Sequence, residues 1–350
     1  VIAPDDAPYA CTCATCTALG NTEKNATPAV TELIIRLSQR FPKHFFFTTS
    51  YLTTQQVTDK QLPANTGVIV SAIDYPLRRT DGKDEQDKKF ADQLDNWKKV
   101  TNNIYIWDYI NNFDDYLTPF PILKIAQQRL QFFKQHGASG IFFNGSGYSY
   151  SSFDEMRTFV LSSLLINPEL PVDDLIRSYF NQEYPVSKKW LYDYYTELEN
   201  NAQSGKRLGL YAGIRESEKA FLYPDQFIKF YDEMGDFVSE AKGKERKKLH
   251  ELQTALSFTR LELGRDHGFD AYGYAKRNGK EIQPVPQARK WITQLKEHKA
   301  FTGMEYYNES AYEIDYYIKE WEQYLLSSDI KKSLFLGLNP SATPKLNKID

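Results

Sequence analysis

Carboxylates stand at the ends of three apolar runs, with aromatic residues beside two of them. Residues 1–4 (VIAP) lead into Asp5 and Asp6, and residues 67–75 end in Asp74 and Tyr75. Residues 103–109 end in Trp107, Asp108 and Tyr109. A carboxyl group at the end of an apolar strand is partly desolvated, which favours its neutral form and suits acid or base work. For any single Asp, ending the strand and capping the next helix is the plainer role. Three such ends shift the balance toward a site, and Asp108, between two aromatics, is the best individual candidate. Glycosidic hydrolysis needs two carboxyl groups, one protonated as the acid and one ionised as base or nucleophile. The expected pair is Asp6 and Asp108, with Asp5 and Asp74 in reserve. Tyr51, Tyr75, Trp107, Tyr109 and Asn144, at the same strand ends, are expected to line a sugar site.

The three cysteines all fall in one short stretch, Cys11-Thr12-Cys13-Ala14-Thr15-Cys16. They could give three thiolates to Zn²⁺, with an Asp or His from elsewhere as fourth ligand. They could instead form one short-loop disulfide and a free thiol, or pack as reduced small apolar residues. No His and no further Cys lies close in sequence, so a disulfide or reduced packing ranks above zinc, and no other cofactor is expected. In an oxidising compartment the bonded pair expected is Cys13 with Cys16, which can meet across a helical turn.

Other motifs are weak. Asn25-Ala26-Thr27, Asn144-Gly145-Ser146 and Asn308-Glu309-Ser310 fit the glycosylation sequon, which acts only in a eukaryotic secretory pathway. The NGSG stretch lacks the Lys-Ser/Thr ending of a phosphate loop. His44, His136, His250, His267 and His298 show neither zinc-protease nor triad spacing.

The elements that must hold these residues alternate up to about residue 165. Strands are expected at 1–4, 44–51, 67–75, 103–109 and 140–145, as short apolar runs buried on both faces of a parallel sheet. Between them, Thr27 as N-cap and Pro28 open a helix with the stripe Val30, Leu33, Ile34, Leu37 and Phe41. Phe90, Leu94 and Trp97 mark a second helix. Ile122, Ala126, Leu130 and Phe133 mark a third, closed by Gly137. Such alternation means an α/β domain, whose chemistry collects at the carboxyl ends of the strands. Beyond 165 the strand signal disappears. Helices are expected at 172–182, 186–202, 223–241, 245–266, 285–299 and 309–327, the last with Tyr312, Tyr316, Ile318 and Trp321 near one face. The expected organisation is an α/β domain over 1–170, a helical domain over 171–335 and a linker tail over 336–350.

The chain has 350 residues, room for about two domains at ~150 residues each. Lys+Arg 43 against Asp+Glu 46 gives a net charge of −3. No basic stripe is present, so no nucleic-acid partner is expected. No apolar run approaches the ~20 residues that a membrane span requires. Tyr 24 and Phe 22 are many for a chain this polar, and flat amphipathic rings suit carbohydrate. Val1 opens on an apolar run that ends in carboxylates, which reads as the continuation of a longer chain upstream.

Four stretches, VIAPDDAPYACTCATC, NIYIWDYINNF, GASGIFFNG and FVLSSLLINPELPVDDLIRSYFNQEY, resemble in order and spacing a bacterial domain-of-unknown-function family. That family is classed with glycoside-hydrolase-like (β/α)8 barrels and is similar in layout to alpha-glucuronidases. The resemblance covers most of residues 1–200. It implies the later strands of a TIM-like barrel followed by a helical domain, with strands one to three upstream; an open parallel α/β sheet is the alternative. It also implies a secreted protein, periplasmic or extracellular, acting on a polysaccharide or oligosaccharide. The competing class is a non-catalytic glycan-binding or scaffold protein on the same fold. The chain departs from the family's pattern at Asn144, where Gln or Glu is common, and at Ile166, where Trp is common.

Overall fold

The structure, a computed structural model, describes residues 1–326 apart from 81, 146, 148, 205, 279 and 280. Among them are twelve α-helices and six strands, divided between two compact units. The first unit holds 1–76, 80–110 and 127–144; the second holds 77–79, 111–126 and 145 onward. The boundary near 144 falls earlier than the expected one at 170. The expected linker at 336–350 lies outside the described residues.

The first unit is built on a four-stranded parallel sheet, β1 (Phe46–Ser50), β2 (Thr66–Ser71), β3 (Ile104–Tyr109) and β4 (Gly140–Asn144), in that spatial order. Phe47, Gly67 and Thr48, Val68 pair between β1 and β2, Val70 meets Ile106, and Trp107 meets Phe142. This is the open sheet, with four strands and not five. The run at 1–4 forms no strand and contributes one bond, from Ile2 N–H to the Phe47 carbonyl at 2.7 Å.

Successive residues of a strand point to opposite faces, and here the two faces differ sharply. One face carries Val68, Val70, Ile104 and Ile106, all fully buried. Helices α2 (Thr27–Arg40), α3 (Glu85–Lys98) and the later turns of α4 (Leu123–Gln135) cover it with Ile34, Phe90, Leu94, Trp97, Phe132 and Phe133. The expected stripe on α3 is buried throughout. That on α2 is not: the buried positions are Thr27, Thr31, Ile34 and Ser38, while Leu33 and Phe41 are exposed. The N-cap of α2 is Ala26, one residue before the expected Thr27. On α4, Leu130 is only half-buried and Arg129 takes the buried place.

The opposite face of the sheet carries Phe47, Ile69, Tyr105, Trp107 and Phe142, of which Tyr105 and Phe142 are exposed. It faces away from helices α2, α3 and α4. Gly67 and Gly140 have no room for a side chain there, because an added Cβ would fall 2.4 Å from the Phe47 ring and 2.5 Å from the Tyr105 ring.

The second unit is helical. It comprises α5 (Asp154–Ile166), α6 (Val172–Glu183), α7 (Lys188–Ala202), α8 (Ile214–Ala220), α9 (Pro224–Glu240), α10 (Gly243–His267), α11 (Pro286–Thr302) and α12 (Ile314–Leu326). Helix α10 packs against α8, α9 and α11 and buries Leu249, Leu252, Ala255, Leu256, Leu261 and Leu263, so its apolar residues run around much of the helix. Helix α5 was not foreseen as a separate element, and strands are not absent beyond 165. The pair β5 (Ala275–Asn278) and β6 (Glu281–Pro284) is antiparallel. On α12 the buried side is Ile314, Tyr317, Ile318, Trp321 and Leu325, whereas Tyr312, which precedes the helix, and Tyr316 are exposed.

Candidate functional site

The carboxyl ends of β1, β2 and β3 bring together side chains that are far apart in sequence. Tyr51 follows β1 on the parity of Phe47 and Thr49, so it belongs to the face opposite α2, α3 and α4. The Asp6 carboxylate lies beside its hydroxyl, and Asp74 and Tyr109 lie close enough to act on it electrostatically. Burial first, and then the neighbouring Asp6 carboxylate, push the Tyr51 hydroxyl up to about 12, so at neutral pH it is a donor. Asp6 and Asp74 are solvent-exposed. Asp74 sits in the turn after β2, where Tyr75 N–H donates to the Ala72 carbonyl at 3.1 Å. Asp5 is exposed and is not among the groups acting on Tyr51.

Trp107 and Tyr109 continue the same face along β3, and Asn144, paired with Tyr109 in register, ends β4 beside them. The Trp107 ring meets Phe142 edge-on at 5.0 Å, and its Nε1 has no hydrogen-bond partner among the described residues. The result is an aromatic surface leading into a pair of exposed carboxylates.

Asp108 lies on the other side. It has the parity of Ile104 and Ile106, is 1% exposed, and faces Arg129, also 1% exposed. Arg129 donates from Nε to Oδ2 at 2.9 Å and from Nη2 to Oδ1 at 2.5 Å, a bidentate pair. Its Nη1 donates to the carbonyls of Tyr75 and Pro76 at 3.2 and 3.0 Å, and the guanidinium stands 4.4 Å from the Tyr75 ring centre. Asp108 is therefore half of a buried ion pair rather than the acid or nucleophile expected of it. Adjacent residues of a strand cannot share a face, so Trp107, Asp108 and Tyr109 could not all serve one pocket.

Tyr75 likewise belongs to the core and not to a sugar site. It is 4% exposed, stacks on Phe90 with centroids 4.6 Å apart, and donates to Asp87 Oδ1 at 3.0 Å. Arg129 was missed by sequence reasoning. The available signal was a cation on the apolar stripe of α4, a position that demands a buried anion.

Ahead of these strands, Cys11, Cys13 and Cys16 place their three sulfur atoms within 4.8 Å of one another. All three are free thiols, with Cys11 and Cys13 exposed. The nearby backbone N–H groups of Cys16 and Thr15 and the two neighbouring thiols lower the Cys13 pKa.

In the second unit, a cavity of about 220 Å³ is lined by Tyr150, Phe153, Tyr179, Tyr184, Lys248 and Glu251 among others. That is below the ~300 Å³ at which ligand pockets begin. Its cation is occupied: Lys248 is ion-paired with Glu155 and, at 2.8 Å, with Glu183. A cluster of Glu218, Asp266 and His267 is an ion-pair network, with His267 3.0 Å from both Glu218 and Asp270, and Arg215 2.6 Å from Asp266.

Among the described residues no helix is long and apolar enough to cross a membrane. A family model described as "Domain of unknown function (DUF4838)" matches residues 1–203. No curated protein and no solved structure matches the chain.

Proposed function

The chain belongs to the DUF4838 domain-of-unknown-function family, and because that membership brings no activity with it, we propose a function from the site itself. The proposal is a glycoside-hydrolase-like protein that takes a polysaccharide or oligosaccharide at the carboxyl ends of β1–β4. The observation that carries it is the convergence of Asp6, Asp74 and Tyr109 on the Tyr51 hydroxyl, next to the Trp107 surface. In this reading Asp6, beside the Tyr51 hydroxyl, is the base or nucleophile. Asp74 is then the acid that protonates the departing glycosidic oxygen. Trp107 and Tyr109 offer faces for the sugar rings, and Asn144 a carboxamide for its hydroxyls.

The sheet supports the same reading. Its strands follow chain order without reversal, and helices α2, α3 and α4 lie on one face. A doubly wound sheet reverses order and is covered on both faces, whereas consecutive strands of a (β/α)8 barrel run in this way. With a glycan substrate, the proposed working location is the periplasm or outside the cell.

The test is a panel of polysaccharides assayed for reducing-end release beside affinity electrophoresis. Release that is lost in Asp6→Asn and Asp74→Asn, with binding retained, is the expected result. Trp107→Ala should lose binding. One observation favours a second reading, a non-catalytic glycan binder: the buried strand-end carboxylate, Asp108, is held by Arg129. Binding without release by the parent protein would establish that reading, and neither binding nor release would remove both.

A further inference from the structure

The loop between Asp6 and α2 has almost nothing to hold it in place. Of residues 8–25 only Asn21 is buried, and the helix within it, α1 (Ala14–Ala18), is five residues long and buries none of them. A helix that short does not persist by its own backbone bonds, and exposed residues add no hydrophobic term. Even so, the loop is tightly folded. Ala10 N–H donates to the Glu23 carbonyl at 2.7 Å, and Asn21 N–H to the Cys16 carbonyl at 3.0 Å. The Asn21 side chain donates to the Cys11 carbonyl at 3.2 Å and accepts from Ala29 N–H, in α2, at 3.0 Å. At the centre of this fold are three sulfur atoms, all within 4.8 Å of one another.

Two cross-links could use that arrangement. A disulfide takes two sulfurs and leaves the third thiol beside it, open to exchange. A thiophilic metal ion takes all three. Tetrahedral Zn–S bonds of ~2.3 Å set neighbouring sulfurs ~3.8 Å apart, so the cluster needs only a small contraction. Asn21 supplies outer support through the backbone, tying the carbonyls of both Cys11 and Cys16 to α2.

We propose that Cys11, Cys13 and Cys16 form a three-thiolate site for a zinc-class divalent ion, whose fourth position opens to solvent beside the exposed Cys11 and Cys13. Binding replaces up to three S–H bonds with metal–sulfur bonds and releases that many protons to water; no electron moves. The ion staples the loop that follows Asp6, a structural role independent of the saccharide reading.

The experiment uses the full chain, reduced with a phosphine and titrated with Zn²⁺, then with Co²⁺ as a spectroscopic probe. One equivalent of zinc should bind, and Co²⁺ should show thiolate charge-transfer absorption with the intensity of three sulfur ligands. Cys11→Ser, Cys13→Ser and Cys16→Ser should each weaken zinc by more than the ~10–100-fold that loss of a supporting group alone costs. Zinc should also slow proteolysis within 7–25 in the parent protein, a readout that needs no variant. Zinc affinity no greater than that of the triple Ser variant would overturn the proposal. So would retention of full affinity in Cys11→Ser, or isolated protein with one free thiol that rises to three on reduction and then takes up no zinc.

Discussion

Replacing Asp108 by Asn removes one charge from a pair that is almost wholly out of water. Both side chains are 1% exposed, and the two guanidinium–carboxylate bonds are 2.9 and 2.5 Å. In the variant, one amide oxygen can still accept from Arg129, but the amide NH₂ meets guanidinium donors head-on. Arg129 then keeps a full buried charge with no anion to balance it, only the amide oxygen and the Tyr75 and Pro76 carbonyls. Breaking a buried pair from one side costs about 3–5 kcal/mol. At about 2–4 °C per kcal/mol, the melting temperature should fall by about 6–20 °C. Urea and thermal melts followed by circular dichroism measure this directly. Asp74→Asn, at an exposed position, is the control and should shift stability by no more than about 0.5 kcal/mol. Asp108→Leu combined with Arg129→Met removes both charges and should recover most of the loss. An Asp108→Asn protein that melts with the parent yet releases no sugar would refute the reasoning and return Asp108 to the catalytic pair.

Glu199 is fully buried and accepts from the N–H groups of Leu123 and Lys124 at 2.9 and 3.0 Å, the open donors that start α4. Burial outweighs those bonds and lifts its pKa from 4.5 to about 7. The folded state therefore binds the proton more tightly than the unfolded one, and this contribution is complete below about 4.5 and is lost as pH rises through about 7. The loss is about 3 kcal/mol, and urea midpoints between those limits should show a fall that Glu199→Gln lacks. Gly67→Ala would set its Cβ 2.4 Å from the Asn103 carbonyl oxygen, which cannot step aside without breaking the sheet, so a loss of about 1–3 kcal/mol is expected in a urea melt. Trp97→Phe removes the 3.1 Å bond from Nε1 to Ser50 Oγ beneath β1 and should cost about 1 kcal/mol beyond the packing change, read against Ser50→Ala in a double-variant cycle.

Local pattern was enough to place most elements. The runs that became β1 to β4 are short and apolar, and the stripe Phe90, Leu94, Trp97 is one that only a helix puts on a single side. It also contained the parity of β3, from which Asp108 must turn away from Trp107 and Tyr109. What the local pattern does not contain is which face a second element will cover. Leu33 on α2 and Phe41 just after it ended exposed while Thr31 and Ser38 went inside, because the sheet, and not the helix's own hydrophobicity, chose the buried side. The same holds for charges. Asp108 and Arg129 lie 21 positions apart, and only their burial against each other turned a candidate acid into an ion pair. The cysteine spacing was plain in the sequence, but the meeting of their sulfurs depends on a turn that Asn21 fixes from outside the motif. Tyr51, Asp74 and Tyr109 come from three separate segments that a parallel sheet brings together, since it gathers the carboxyl ends of its strands along one edge whatever chain length lies between them, and Asp6 reaches that edge from a segment that forms no strand.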